Sequence, residues 1–230
     1  MISKKRKILI VEAHSDDSLL SIAGYLEKNR DSFEYHFLLL TCSNLQMRQC
    51  GFVKRTDRLA EYRNYVHYFS GTWHQGKNRD LPMDCDTELD TIPKKRVVTQ
   101  IEDIIDQIKP DQLIFQGASF HHDHTIVHDA VIAATRPNSL FCPLEMYIME
   151  NPSYIHSLGP HTDFKPDVYV HLTESEIQKK LECFTNCFPS QSRRLDNCLS
   201  LEGIKNWARY RGIESGCHYA EALKTYRRII

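Results

Sequence analysis

Apolar runs and helix-periodic segments take turns along the first two-thirds of this chain, and that alternation restricts the fold more than any other feature. Lys7 to Val11 is a short β-branched run, and after His14-Ser15-Asp16-Asp17 the residues Leu19, Leu20, Ile22, Ala23 and Leu26 recur at helical spacing. Tyr35 to Thr41 is a second apolar run. The spacing predicts helices over Arg58 to Phe69, with Leu59, Tyr62, Tyr65, Val66 and Phe69 inward, and over Val97 to Ile108, stopped by Pro110. Gln112 to Phe115 and Met146 to Met149 read as further strands on either side of a helix over Thr125 to Thr135. Fully apolar strands separated by helices predict an α/β fold, a doubly wound, mostly parallel, Rossmann-like sheet with helices on both faces. The last third reads as a C-terminal helical extension, with helices over Ser175 to Cys187 and Leu201 to Arg211 and a closing Tyr219 to Tyr226 segment. With no repeat and no linker, one domain is expected over 1–230: an α/β core over 1–150 and an extension over 151–230 that completes the site.

Charge and composition narrow the partners. Lys+Arg 29 against Asp+Glu 30 leaves a net charge of −1, so no global positive field gathers nucleic acid or an anionic membrane. No apolar run approaches the roughly 18 residues of a membrane span. The basic start, Met1 to Lys7, leads into an apolar run shorter than the roughly 7–15 residues of a signal-peptide core, so a soluble, cytoplasmic protein is expected. The 8 cysteines are scattered along a chain too long for a disulfide-framed mini-domain, and reduced thiols are the expectation. Cys183 and Cys187 stand at helical spacing, as a buried helix face would place them.

In an open parallel sheet, ligands collect beyond the carboxyl ends of the strands. Two clusters fall there. Ala13-His14-Ser15-Asp16-Asp17 leaves the first strand, and Phe120-His121-His122-Asp123-His124 follows the strand ending at Phe115. Imidazoles and carboxylates from two loops supply N and O ligands for a borderline divalent cation such as zinc, with a carboxylate left over. Simpler readings stand beside this one: Asp16-Asp17-Ser18 as a helix cap, and His121 to His124 as a polar turn. His124 and His128 share the i,i+4 spacing of zinc proteases, but Thr125 stands where that motif needs Glu, and His128 is left as a supporting or surface group. The irregular stretches Trp73 to Pro93 and Asn151 to Pro166 are of the kind that lines a site, with Trp73 and Asp80 as candidate substrate-binding residues.

Four stretches together resemble the PIG-L/LmbE-like family of zinc-dependent N-deacetylases. Ala13-His14-Ser15-Asp16-Asp17-Ser18 is similar to the family's Ala-His-Pro-Asp-Asp-Glu, and Arg58-Leu59-Ala60-Glu61 to its Arg-x-x-Glu helix. His121-His122-Asp123-His124 is similar to its His-Pro-Asp-His, and Gly212 through Gly216 to Tyr219-Ala220-Glu221-Ala222 to its closing segment. The resemblance implies that His14, Asp17 and His124 ligate Zn2+, that Asp16 is the general base, and that His121, oriented by Asp123, stabilises the oxyanion or protonates the leaving amine. It implies that Arg58 faces substrate hydroxyls or phosphate; a salt bridge to Glu61 is the structural alternative. The substrate implied is a small N-acetylated amino sugar, free, nucleotide-linked or lipid-linked, and relatives with this fold commonly form trimers or hexamers, so a homo-oligomer is compatible. Ser15, Ser18, His122 and Phe188 depart from the family pattern. Two other functions fit the same residues: a metal hydrolase of another acylated amine or an ester, and a catalytically weakened carbohydrate-binding protein.

Overall fold

Strand β1 (Arg6–Glu12) is the spine of the molecule, because Ile8, Leu9, Ile10 and Val11 are all fully buried and must be covered on both faces. The computed structural model describes residues 5–47, 51–75, 83–153, 164–193 and 197–230. From β1 the chain passes through α1 (Asp17–Lys28), β2 (Phe33–Leu39) and a small hairpin of β3 (Leu45–Met47) and β4 (Gly51–Val53). It continues through α2 (Arg55–Tyr68), β5 (Thr72–His74), α3 (Lys94–Ile108), β6 (Gln112–Gln116), α4 (His122–Ala134) and β7 (Glu145–Met149). Then follow β8 (Val168–Leu172), α5 (Glu174–Cys187), α6 (Leu201–Glu214) and β9 (Tyr219–Arg228).

The main sheet has the order β5-β2-β1-β6-β7-β9-β8. Strands β5, β2, β1, β6 and β7 are parallel, and β9 runs antiparallel between β7 and β8. The pleat divides the core in two. Ile8 and Ile10 join Leu19, Phe37, Tyr65 and Phe184 in a cluster on one face, while Leu9 and Val11 join Val97, Ile101, Phe115 and Val127 in a cluster on the other. Since β1 pairs with β2 on one side and β6 on the other, the winding reverses between β1 and β6, and a crevice opens at their carboxyl ends.

The fold is therefore the α/β architecture expected, with one addition. The C-terminal segment carries two helices, but it also adds β8 and β9 to the sheet. Glu221 on β9 ties this part to the core: its carboxylate accepts from the amides of Gly24 and Tyr25 and pairs at 2.6 Å with Lys180 of α5. Gly212 and Gly216 close the same region. A Cβ on Gly212 would stand 2.5 Å from the carbonyl oxygen of His218, which excludes a side chain there, and Gly216 takes φ +75°, a left-handed conformation that favours glycine. Besides the short hairpin of β3 and β4, two of these strands were not legible as such. β5 overlaps the stretch read as irregular from Trp73 onward, and β8 is a short segment, Val-Tyr-Val-His-Leu, with one fully buried residue. Among the described residues, no helix is long and apolar enough to cross a membrane.

Candidate metal centre

The two motifs meet at the switch point. His14 stands in the turn between β1 and α1, Asp17 opens α1, and His122 to His124 form the first turn of α4, with His121 at its N-cap. Asp16 occupies the N-cap of α1, yet its side chain makes no capping hydrogen bond, so the simple helix-cap reading does not account for it.

His14 Nδ1 lies 3.0 Å from His124 Nε2, His124 Nε2 lies 3.3 Å from Asp17 Oδ1, and His14 Nδ1 lies 3.7 Å from Asp17 Oδ2. Donors each about 2.0–2.1 Å from a tetrahedral zinc stand about 3.3 Å apart. The two imidazole nitrogens are spaced as donors to one divalent ion of that size would be, and Asp17 presents a different oxygen to each of them, Oδ1 to His124 and Oδ2 to His14. The remaining nitrogens of both rings are engaged: His14 Nε2 faces Asp123 Oδ2 at 3.1 Å, and His124 Nδ1 faces Ser119 Oγ at 2.8 Å. With N–H donated at those positions, His14 Nδ1, once deprotonated, and His124 Nε2 would both present lone pairs to the shared gap.

Two other groupings are close by. His14, His121 and His124 bring one nitrogen each within 4.8 Å of one another, and so do ligand atoms of His14, Asp86 and Asp123. The second is a supporting shell. Asp86 Oδ2 already accepts from Arg58 at 2.6 Å, while Asp123 accepts from the amides of Thr87 and Leu89. The hydrogen bonds of Asp123 thus go to His14 and to the turn over 87–89. The resemblance had Asp123 orienting His121; the carboxylate instead reaches across to the first motif, because α4 begins early enough to place it there.

Protonation follows from this crowding. Burial works against charge on His14, but hydrogen bonding to Asp123 and Asp17 outweighs it and holds the ring well above the usual histidine range. Burial would likewise raise Asp17, yet His124 and His14 keep it far below the carboxylate range. For half-buried Asp16, burial and the Asp17 charge push the carboxyl up, against the pull of His14 and Arg58. Burial and the two neighbouring imidazoles push His121 down to about 4, so its ring is neutral at ordinary pH. Beneath them, burial lifts Glu12 to about 8 although Ser18 and Tyr62 both donate to it.

A cleft of about 430 Å³ opens onto this cluster, within the size range of small-molecule sites. Asp16, Arg58, Asp86, His121 and Asn151 all line it. Arg58 does not pair with Glu61; it binds Asp86 and the Ser43 carbonyl, and Glu61 accepts from the backbone and hydroxyl of Ser190 instead. Phe188, where the family has histidine, is buried against Tyr65. Trp73 stands apart. On edge strand β5 its indole packs on Tyr62 and under the Arg63 guanidinium, so it is not among the cleft-lining residues. Asp80 lies outside the described residues.

Sequence reasoning missed Asp86 and Asn151. Asp86 lies in the stretch Trp73 to Pro93 that was expected to line the site, but nothing local separates it from Asp80 and Asp84. Asn151 follows β7, at a third strand end of the same crevice, and opens the irregular stretch Asn151 to Pro166, but nothing local marked it among the residues there.

A parallel sheet with a His-Asp-His donor cluster at its switch point defines an α/β protein built around a candidate metal centre. Comparison with known families then gives the particular one. Residues 9–135, more than half of the chain, match the family model PIG-L: GlcNAc-PI de-N-acetylase, and the chain belongs to that family. No curated protein sequence matches it. Among solved structures, a deacetylase triple mutant of the teicoplanin biosynthetic pathway is similar with a TM-score of 0.71 at 16% identity, over 95% of this chain and 97% of that one. The N,N'-diacetylchitobiose deacetylase of Pyrococcus horikoshii has a TM-score of 0.68 at 16% identity, over 97% and 85%. GalB, a 4-carboxy-2-hydroxymuconate hydratase from Pseudomonas putida KT2440, also has a TM-score of 0.68 at 16% identity, over 98% of each chain. At such identities the likeness is one of fold.

Proposed function

We propose that this protein is a metal-dependent amide hydrolase that removes the acetyl group from a small N-acetylated amino sugar, with His14, Asp17 and His124 as metal ligands. The observation that carries the reading is the spacing of those three donors beside Asp16 on the cleft wall. Family membership supports the acetamide as the bond attacked. Since a hydratase shares the fold, fold alone does not select the reaction; the family match, the donor cluster and the adjacent carboxylate are what support hydrolysis.

A zinc ion, when bound, supplies a lowered water pKa and a polarised acyl oxygen. The chain's own residues do the rest. Asp16 takes a proton from the attacking water as the oxygen adds to the acyl carbon, and its upward bias suits a base that must also hand that proton on. Neutral His121 offers a ring N–H to the developing oxyanion, a role its low pKa favours over that of a standing acid. As the C–N bond breaks, the proton passes to nitrogen, leaving acetate and a free amine. Arg58 and Asp86, fixed against each other, present a donor fork and an acceptor to sugar hydroxyls.

Acetate release by zinc-loaded protein, screened over N-acetylated sugars, sugar nucleotides and simple esters, tests this. Release from an acetamide supports it. Hydrolysis confined to esters would move the assignment to the other bond, and sugar binding without turnover would leave a carbohydrate-binding protein.

A further inference from the structure

We propose that Asn151 is a positioning residue for the metal site, holding the Asp17 carboxylate from a third strand end. The inference rests on the reading of Asp17 as a ligand. Asn151 is 9% exposed, and its Nδ2 donates to Asp17 Oδ1 at 3.0 Å across 134 residues of sequence. Its other end settles the amide orientation. Oδ1 accepts from the backbone N–H of Ser153 at 3.0 Å, and because that N–H can only donate, the NH₂ must be the end that faces Asp17.

Asp17 is thereby held at both oxygens. Oδ2 accepts from the His14 amide at 2.8 Å and Oδ1 accepts from Asn151, which leaves one acceptor direction on each oxygen for the gap between His14 Nδ1 and His124 Nε2. The first bond comes from the motif itself. The second comes from beyond β7, so the ligand geometry depends on how that strand docks. A carbonyl or carboxylate oxygen in place of the NH₂ would face Asp17 oxygen to oxygen, and an apolar side chain would leave Oδ1 with no donor from that side.

Zinc affinity of the full chain, measured by competition with a chromophoric chelator, tests the proposal without recourse to turnover. Asn151→Leu, which keeps the branching at Cγ and removes the donor, should weaken zinc roughly ten- to a hundredfold while the folded circular dichroism spectrum persists. Should that variant fail to fold, Asn151→Ser keeps a small polar group, and it should weaken zinc less but in the same direction. An affinity within twofold of the native protein's in a folded variant overturns the proposal, as does a rise in KM alone, which would make Asn151 a substrate contact. Asp17→Ala separates the two readings. If the native chain binds no zinc, or Asp17→Ala binds it equally well, the ligand assignment itself is wrong; if Asp17→Ala loses zinc and Asn151→Leu does not, only the role of Asn151 fails.

Discussion

Asp123 Oδ2 stands 3.1 Å from His14 Nε2, so a carboxylate of the second motif fixes the imidazole of the first. The same carboxylate accepts from the amides of Thr87 and Leu89, and Thr87 is held at φ 69°, a left-handed conformation uncommon outside glycine. Asp123 therefore joins the candidate metal site to the turn that carries Asp86. Asp123→Ala should lower zinc affinity roughly ten- to a hundredfold, the usual cost of losing a carboxylate behind a ligating histidine. Chelator competition reads it. Native affinity combined with impaired turnover would show instead that Asp123 serves His121.

Asp16 touches the cleft but stands outside the proposed ligand set. Asp16→Asn preserves shape and removes the base, and it should retain bound metal while losing about 10²- to 10⁴-fold in kcat, the span of general-base contributions. Metal content and acetate release measured on the same sample decide it. Turnover close to native would exclude Asp16 as the base.

The parts of the molecule that could be read from sequence are those in which local pattern and tertiary burial coincide. Ile8 to Val11 is apolar at every position because both faces of β1 are covered, and α3 shows its buried stripe of Val97, Ile101, Ile104, Ile105 and Ile108 at helical spacing. His14, Asp17 and His124 were legible because each motif packs several donors into a few residues at a strand end. β8 was not, since four of its five residues are only partly covered or exposed and its Val-Tyr-Val stretch is short, with neither a buried apolar core nor a clean alternation. Trp73 was placed at the rim by its neighbours in sequence; pairing of β5 with β2 turns the indole against α2 instead. The early start of α4, which puts Asp123 within reach of His14, depends on packing that no local pattern encodes.

The link between β9 and the core makes a stability prediction away from the cleft. Lys180 and Glu221 are both buried and paired at 2.6 Å, and Lys180 also donates to the Leu20 carbonyl. Lys180→Met leaves a buried carboxylate without its cation and should destabilise the fold by about 3–5 kcal/mol. Urea unfolding measures this. A loss below about 1 kcal/mol, the scale of exposed pairs, would contradict the burial of this bridge.

Buried tyrosines set the alkaline limit. Burial pushes the buried Tyr35, Tyr62 and Tyr65 well up, and partial burial lifts Tyr25 and Tyr68 to about 12, whereas an unfolded chain ionises tyrosine near 10. The folded state holds these protons where the unfolded state releases them, so this contribution is intact below pH about 10 and is lost as pH rises beyond it. Tyrosinate absorbance from the buried set should appear together with loss of the circular dichroism signal. Gradual ionisation of that set near pH 10 in a folded protein would contradict the packing around α2.

The central claim is that one cation is shared by side chains from two strand ends. Anomalous scattering at the zinc edge from crystals of the metal-loaded protein tests it most directly. The account predicts a single strong peak within bonding distance of His14 Nδ1, His124 Nε2 and an Asp17 oxygen. A peak ligated by other residues, or none at that position in zinc-saturated crystals, would contradict it.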